Sequence, residues 1–234
     1  MKPRFSRIVL PLCASLAFNF GFGQSAENKK IRDLLAETQR NYAAAGAFSV
    51  DTRYSLKIGE DVCESHTGGL IVDGKNYYLR IAQTEFVGIA NRFLKIDGVN
   101  HLMQLVPDDS APVIINLETT LSHFENGTLA ETAQEWVCTL LAPKYTSVPY
   151  GKAVIYIDKK TRLIRRQILF LSIKSSCKNK AGKIVTGFSK IDVVFSNFLR
   201  GNVKTDKLEL SRYIRSRNGR YIPAVNYKDF TIVD

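Results

Sequence analysis

Apolar residues recur at every second position in three segments between Ala153 and Phe198. The apolar positions are Ala153, Ile155 and Ile157 in the first segment, Ile168 and Phe170 in the second, and Ile191, Val193 and Phe195 in the third. A period of two with β-branched and aromatic residues predicts strands that bury one face and expose the other. The polar segment 158–161 predicts a turn. We therefore predict an antiparallel meander in which Asp192 and Ser196 face water.

The same period occurs earlier in the chain. Over 47–57, Phe48, Val50, Tyr54 and Leu56 alternate with Ser49, Asp51, Arg53 and Ser55. Further strands are predicted over 62–72, 77–82, 86–90, 92–96, 100–106 and 134–140, with terminal strands over 208–214 and 220–233. Asp-Gly pairs at 73–74 and 97–98 are typical of hairpin turns. Strands joined by hairpins predict an antiparallel sheet rather than βαβ units.

Two segments have a helical period instead. Ile31, Leu34, Leu35, Thr38 and Tyr42 form one stripe, which predicts a helix over 28–45. Val113, Ile114, Leu117, Leu121 and Phe124 share a face in a second, shorter helix, which we interpret as a lid. A sheet of about a dozen strands must curl, close or split. The predicted fold class is mainly β (α+β), with a strongly curved antiparallel sheet or half-open β-barrel wrapped around the N-terminal helix and the lid helix.

Residues 1–23 have the composition of a secretory signal peptide. Lys2, Arg4 and Arg7 precede an apolar stretch over 8–20, and small residues stand at positions 21 and 23. We therefore predict an exported protein whose residues 24–234 form a single domain. The formal charge is +11, of which the three basic residues of the signal peptide contribute +3. The remaining basic charge suits peripheral contact with anionic surfaces, including lipid headgroups, and nucleic acid is not an expected partner of an exported protein.

The residues that carry chemistry in enzymes are sparse and scattered. His66, His101 and His123 have no metal-type spacing, and the sequence contains no GxSxG or other nucleophile motif. We predict no catalysis, no metal and no cofactor. Cys138 lies in an apolar strand pattern and is expected in the core. A bridge between Cys63 and Cys177 is one pairing that export permits, and the sequence leaves it open.

Two motifs give a resemblance to a known family. Asp158, Lys160, Thr161 and Leu163 match a D-x-K-T-x-L turn that precedes a strand, and Phe195, Ser196, Asn197 and Phe198, with Asn202 after them, match a second motif. In this order, after a signal peptide and an amphipathic helix, they resemble the periplasmic carriers of outer-membrane lipoproteins, the LolA-like superfamily. The resemblance implies an apolar cavity that holds acyl chains, and an arginine that closes the lid. Arg80, Arg92, Arg165 and Arg166 are candidates for that role, and the segment 216–234 has no counterpart in the family pattern.

Two functions follow as hypotheses. The first is a soluble, monomeric periplasmic carrier or binding protein that shields the acyl chains of a lipoprotein or lipid and exchanges them with envelope donor and acceptor proteins. Its cavity would be lined by Phe48, Val50, Tyr54, Leu56, Leu79, Phe93, Trp136, Ile155, Ile168, Phe170, Val193 and Phe195. The second is a non-catalytic accessory or interaction protein of the cell envelope whose core is filled by its own side chains.

Overall fold

The computed structural model describes residues 26–89, 92–107, 123–144, 149–201 and 203–233. These residues form one α-helix and fourteen strands. The bounds are α1 Ala26–Ala44, β1 Phe48–Ile58, β2 Asp61–Asp73, β3 Asn76–Ile81, β4 Thr84–Ile89, β5 Arg92–Asp97, β6 Leu102–Pro107, β7 Asn126–Glu131, β8 Glu135–Leu141, β9 Tyr150–Asp158, β10 Ile164–Lys178, β11 Ile184–Arg200, β12 Ile214–Arg217, β13 Arg220–Pro223 and β14 Thr231–Val233. No helix in the described part combines the length and hydropathy needed to cross a membrane.

Twelve of the strands form one open sheet. Their order is β14-β6-β5-β4-β3-β2-β1-β11-β10-β9-β8-β7, and β12 pairs separately with β13. Neighbouring strands are antiparallel except for β14, which runs parallel to β6. Because β14 and β7 are its two edges, the sheet does not close into a barrel. The predicted fold class, a mainly β protein with a large curved antiparallel sheet, is confirmed.

A disulfide shows how strongly one end of the sheet bends. Cys63 on β2 and Cys177 on β10 are bonded, with their Cα atoms 5.7 Å apart. In the strand order, β1 and β11 lie between β2 and β10. Three strand spacings of a flat sheet would separate the two cysteines by about 14 Å. The sheet must therefore curl beyond the end of β1, which brings the two strands together.

The helix α1 covers the first core. Its predicted stripe is buried: Ile31, Leu34, Leu35, Thr38 and Tyr42 all face the sheet. The helix ends before Gly46, whose positive φ of 63° is a conformation that glycine adopts without strain. We call the sheet surface that packs on α1 the helix face. Its buried strand residues are Phe48, Val50, Leu70, Cys138, Leu140, Ala153, Ile155, Ile157 and Ile164.

The C-terminal segment covers a second core on the other side of the sheet. Leu208, Tyr213 and Ile214 pack there against Tyr78, Val87, Ile89, Leu94, Ile96 and Met103 of β3–β6. The strand register separates these residues from the helix face, because Tyr78 pairs with Val87 while its neighbour Tyr77 pairs with Gly88. We call this surface the opposite face. The predicted strand over 208–214 is wrong: short 3₁₀ turns at Asp206–Leu208 and Leu210–Arg212 take its place.

The register also corrects two expectations about the meander. Gln167 pairs with both Ile155 and Val193, so Gln167 lies on the helix face. Its neighbour Ile168, and Phe170 two residues on, therefore lie on the opposite face, against the prediction. Asp192 was expected to face water and is instead only 4 % exposed.

Of the predicted lid, Val113, Ile114, Leu117 and Leu121 lie outside the described residues. Phe124 is described and is buried in the helix-face core. Its ring stacks on that of Tyr150, with 5.8 Å between the ring centroids.

Candidate functional site

A patch of half-buried apolar side chains lies in the middle of the helix face. It consists of Tyr54 and Leu56 on β1, Ile191, Val193 and Phe195 on β11, and Leu169 on β10. The pairs Tyr54–Val193, Leu56–Ile191 and Ile191–Leu169 are directly opposite each other in the ladder, so their side chains point to one side. We call these six residues the apolar belt. The belt is continuous across three neighbouring strands.

The belt borders a core that is already filled. Ala153, Ile155 and Ile157 on β9 are fully buried. At the other border, the rings of Tyr42, Phe48 and Phe198 pack together, with centroid distances of 5.1–5.9 Å. The interior under α1 is therefore occupied by the protein's own side chains.

A shallow pocket opens at one end of α1. Its lining is Asn28, Ile31, Arg32, Phe124, Glu125, Asn126, Gly127 and Leu140, and its enclosed volume is about 20 Å³. That is room for about one water molecule and far below the range of about 300–1,000 Å³ that is typical of small-molecule sites. The pocket is thus too small for a long acyl chain.

Tyr42 fixes α1 beside the belt. The backbone N–H of Ile164, at the start of β10, donates a hydrogen bond to the Tyr42 hydroxyl at 3.1 Å. Burial raises the pKa of Tyr42 to about 12. Desolvation likewise raises the pKa of Tyr54 within the belt, and the nearby Glu64 carboxylate adds to that rise. Both tyrosines therefore stay neutral over the physiological pH range.

An ion cluster holds the same three strands together on the opposite face. The Asp192 carboxylate accepts hydrogen bonds from Arg166 Nε at 2.8 Å and Nη2 at 2.7 Å, and from Lys57 Nζ at 2.6 Å. The two hydrogen bonds from Arg166, and then the one from Lys57, lower the pKa of Asp192 to about 2 despite its burial. Since Asp192 stands between Ile191 and Val193, the cluster fixes the backbone from which the belt side chains project.

The predicted lining residues divide into three groups. Tyr54, Leu56, Val193 and Phe195 come together in the belt. Phe48, Val50, Phe93 and Ile155 are buried on the helix face, with Leu79 and Trp136 half-buried there. Ile168 and Phe170 lie on the opposite face, where the Lys152 ammonium sits 4.8 Å from the centroid of the Phe170 ring.

Sequence reasoning placed one belt residue, Leu169, on the wrong face. It assigned Ile191 to the buried face of its strand but left it out of the predicted cavity lining. Leu169 was placed on the polar side of β10 because Ile168 and Phe170 were assigned inward. The signal that could have corrected this is Arg166, since a strand with Arg166 outward must point Gln167 and Leu169 inward.

Three of the four candidate lid arginines have other partners. Arg166 binds Asp192, Arg165 Nη1 lies 3.5 Å from Asp158 Oδ2, and the Arg92 guanidinium lies 5.0 Å from the centroid of the Tyr221 ring. Within the described ranges, no group of three or more His, Cys, Asp or Glu side chains could hold a metal ion. The expected burial of Cys138 is confirmed, and burial raises the pKa of its thiol to about 12.

Comparisons with known proteins concern the fold. No protein-family model matches the chain, and no curated protein matches it by sequence. Similar solved structures include a DUF1329 family protein from Desulfovibrio piger, with 12% identity, 78% of this chain and 97% of that chain covered, and a TM-score of 0.43. An uncharacterized conserved protein from Thermus thermophilus has 11% identity, 76% and 92% coverage and a TM-score of 0.46.

A LolA superfamily protein from Nitrosomonas europaea is also similar, with 9% identity, 76% of this chain and 96% of that chain covered, and a TM-score of 0.38. The superfamily that the sequence motifs resemble is thus represented among the similar structures.

Proposed function

We propose that this protein is an exported, non-catalytic carrier or binding protein that shields acyl chains, and that the acyl chains lie along the apolar belt. The observation that carries the proposal is the half-buried state of six adjacent apolar side chains on the helix face. The neighbouring core residues are buried. The belt therefore continues the core, and in the described part of the chain α1 leaves it partly exposed.

The energetics favour an apolar ligand of this kind. Each methylene removed from water contributes about 0.8 kcal/mol, so one acyl chain supplies ample affinity without any polar contact. A contiguous exposed apolar surface on an unassociated protein also marks a binding site in many cases. Binding and release would then need only an exchange of apolar surface with a donor or acceptor in the envelope.

The disulfide supports the proposed location. Disulfides persist in oxidising compartments such as the periplasm and are rare in the cytosol. The pairing of Cys63 with Cys177 therefore fits the export that the signal-peptide pattern predicts.

A pair of neighbouring valines provides the test. Val193 lies in the belt, whereas Val194 pairs with Arg53 and Arg166 on the opposite face. We expect Val193→Glu to weaken binding of a fluorescent fatty acyl probe at least tenfold, because the carboxylate would have to be desolvated beside the acyl chain. Val194→Glu, beside two arginines, should bind the probe like the wild type. Equal loss in both variants would contradict the assignment of the belt.

A second function is favoured by a different observation, the filled core and the small pocket beside α1. These features suit an accessory or interaction protein of the envelope that binds no lipid. Native mass spectrometry of the purified protein separates the two functions. Co-purified acyl lipid supports the carrier, and absence of both lipid and probe binding at micromolar concentration supports the interaction protein.

A further inference from the structure

The hairpin formed by the ends of β10 and β11 extends past the end of β1. We call residues 173–189 the arm. It contains four lysines, Lys174, Lys178, Lys180 and Lys183, and no acidic residue. It also carries three of the most exposed apolar side chains of the described protein: Ile173 is 64%, Ile184 70% and Phe188 59% exposed. Apolar and cationic groups are thus concentrated on one protruding element.

Lysine and apolar side chains lie next to each other on the outer surface of the arm. Lys174 pairs with Phe188, and Lys178 pairs with Ile184, so all four project from the same side of the hairpin. The Lys174 ammonium lies 5.4 Å from the centroid of the Phe188 ring. Such a surface offers apolar groups for burial and cations directly beside them.

The inner surface of the arm is attached to the rest of the sheet. Cys177 is bonded to Cys63, and Asn179 Nδ2 donates a hydrogen bond to Asp61 Oδ1 at 2.8 Å. Gly187 packs so closely that an added Cβ would lie 2.9 Å from Ile58 Cγ2. These attachments fix the arm in one orientation and leave its lysine and apolar side facing outward.

We propose that the arm is a docking surface for an anionic phospholipid bilayer. Lysines near such a surface are attracted by its negative potential, while Ile and Phe side chains enter the boundary between headgroups and acyl chains. Attraction by charge alone would suit any polyanion, but it would leave Ile184 and Phe188 exposed to water. The combination of both groups on one fixed surface selects a lipid bilayer. This inference is independent of the acyl site, since the arm and the belt are separate surfaces.

The test measures co-sedimentation of the full protein with vesicles of phosphatidylethanolamine and phosphatidylglycerol, and with vesicles of phosphatidylcholine alone. We expect binding to the anionic vesicles and at least tenfold weaker binding to the neutral ones. Ile184→Ser with Phe188→Ser, and separately Lys174→Gln with Lys178→Gln, should each weaken binding to the anionic vesicles at least fivefold. Matched controls are Val99→Ser with Val225→Ser and Lys75→Gln with Lys160→Gln, which change equally exposed groups elsewhere.

The tryptophan variant Phe188→Trp adds a measure of insertion. Its fluorescence should shift to shorter wavelength when anionic vesicles are added, relative to the wild type, whose sequence contains one tryptophan. Loss of binding in the control variants as large as in the arm variants would overturn the proposal. So would wild-type binding that is unaffected by Ile184→Ser with Phe188→Ser, since the attraction would then be that of a polycation for any anion.

Discussion

The two faces of the sheet are covered in different ways. On the opposite face, the C-terminal segment seals the core over β3–β6 so closely that Tyr213 and Met103 are fully buried. On the helix face, α1 buries the strands towards β7–β10, but the belt stays half-exposed. The C-terminal segment follows the sheet as irregular chain and an added strand, and it covers the core beneath it. A straight helix such as α1 packs on the sheet with only one apolar stripe. Among the described residues, the belt is therefore covered less completely than the core on the opposite face.

The central strands show the same contrast at the level of single residues. On the helix face Val193 pairs with Tyr54 in the belt, whereas one residue away Asp192 binds Lys57 and Arg166. On the opposite side of these strands, the charged groups are thus paired with one another. At these positions the half-buried apolar surface lies on the helix face.

The largest effect is expected from opening the sealed core. Tyr213→Ala should lower the free energy of unfolding by about 3–5 kcal/mol, because it leaves a large cavity among fully buried side chains. Tyr213→Phe is the control: it keeps the ring and loses only the hydroxyl that donates to the Lys207 carbonyl at 2.8 Å, which should cost about 1 kcal/mol. Urea denaturation measures both values. Equal, small effects would mean that the C-terminal segment contributes little to stability.

The disulfide comes next. Replacing Cys63 and Cys177 by Ser should lower the free energy of unfolding by about 2–4 kcal/mol, since the bond restricts a long loop in the unfolded chain. The double variant is also expected to loosen the arm and increase hydrogen exchange of its amides. Cys138→Ala, a change at a buried free thiol, is the comparison that leaves the arm unaffected. Unchanged exchange in the double variant would argue that other contacts hold the arm.

Most of the sheet could be predicted from the sequence, and the failures have physical causes. In β1 and β11 polar residues interrupt the apolar ones, so the face of Tyr54 and Val193 was assigned correctly. In β10 all four residues from Ile168 to Leu171 are apolar. Alternation of polar and apolar residues therefore cannot show which of them face the core. Only pairing with β9 and β11 decides that Leu169, rather than Ile168, joins the helix face.

The burial of Asp192 was missed for another reason. A carboxylate between apolar residues is expected in water unless a cation reaches it. One of its cations, Lys57, is 135 residues away in the sequence, and no local pattern brings the two together. The opposite-face core was missed likewise, because the C-terminal segment has no strong period to show that it returns to β3–β6.

A smaller effect is expected from the ion cluster. Asp192→Asn should lower the free energy of unfolding by about 1–3 kcal/mol, a modest value because Arg166 is partly exposed to water. The folded-state pKa of about 2 lies below the unfolded value, so the contribution of Asp192 is complete above about pH 4 and is lost as the pH falls towards 2. The difference between wild type and variant should therefore shrink over pH 4 to 2. A constant difference would contradict the role of the ionised carboxylate.

The smallest effect is expected at the belt, where two isoleucines on the same face make a matched pair. Ile155 is fully buried on β9, whereas Ile191 is half-buried on β11. Ile155→Ala should cost about 2–5 kcal/mol, and Ile191→Ala about 1 kcal/mol or less, since much of its apolar surface is already in contact with water. Thermal or urea denaturation of ligand-free protein gives the comparison. If Ile191→Ala proved as costly as Ile155→Ala, the belt would be sealed core in solution, and a ligand would have no apolar surface left to cover.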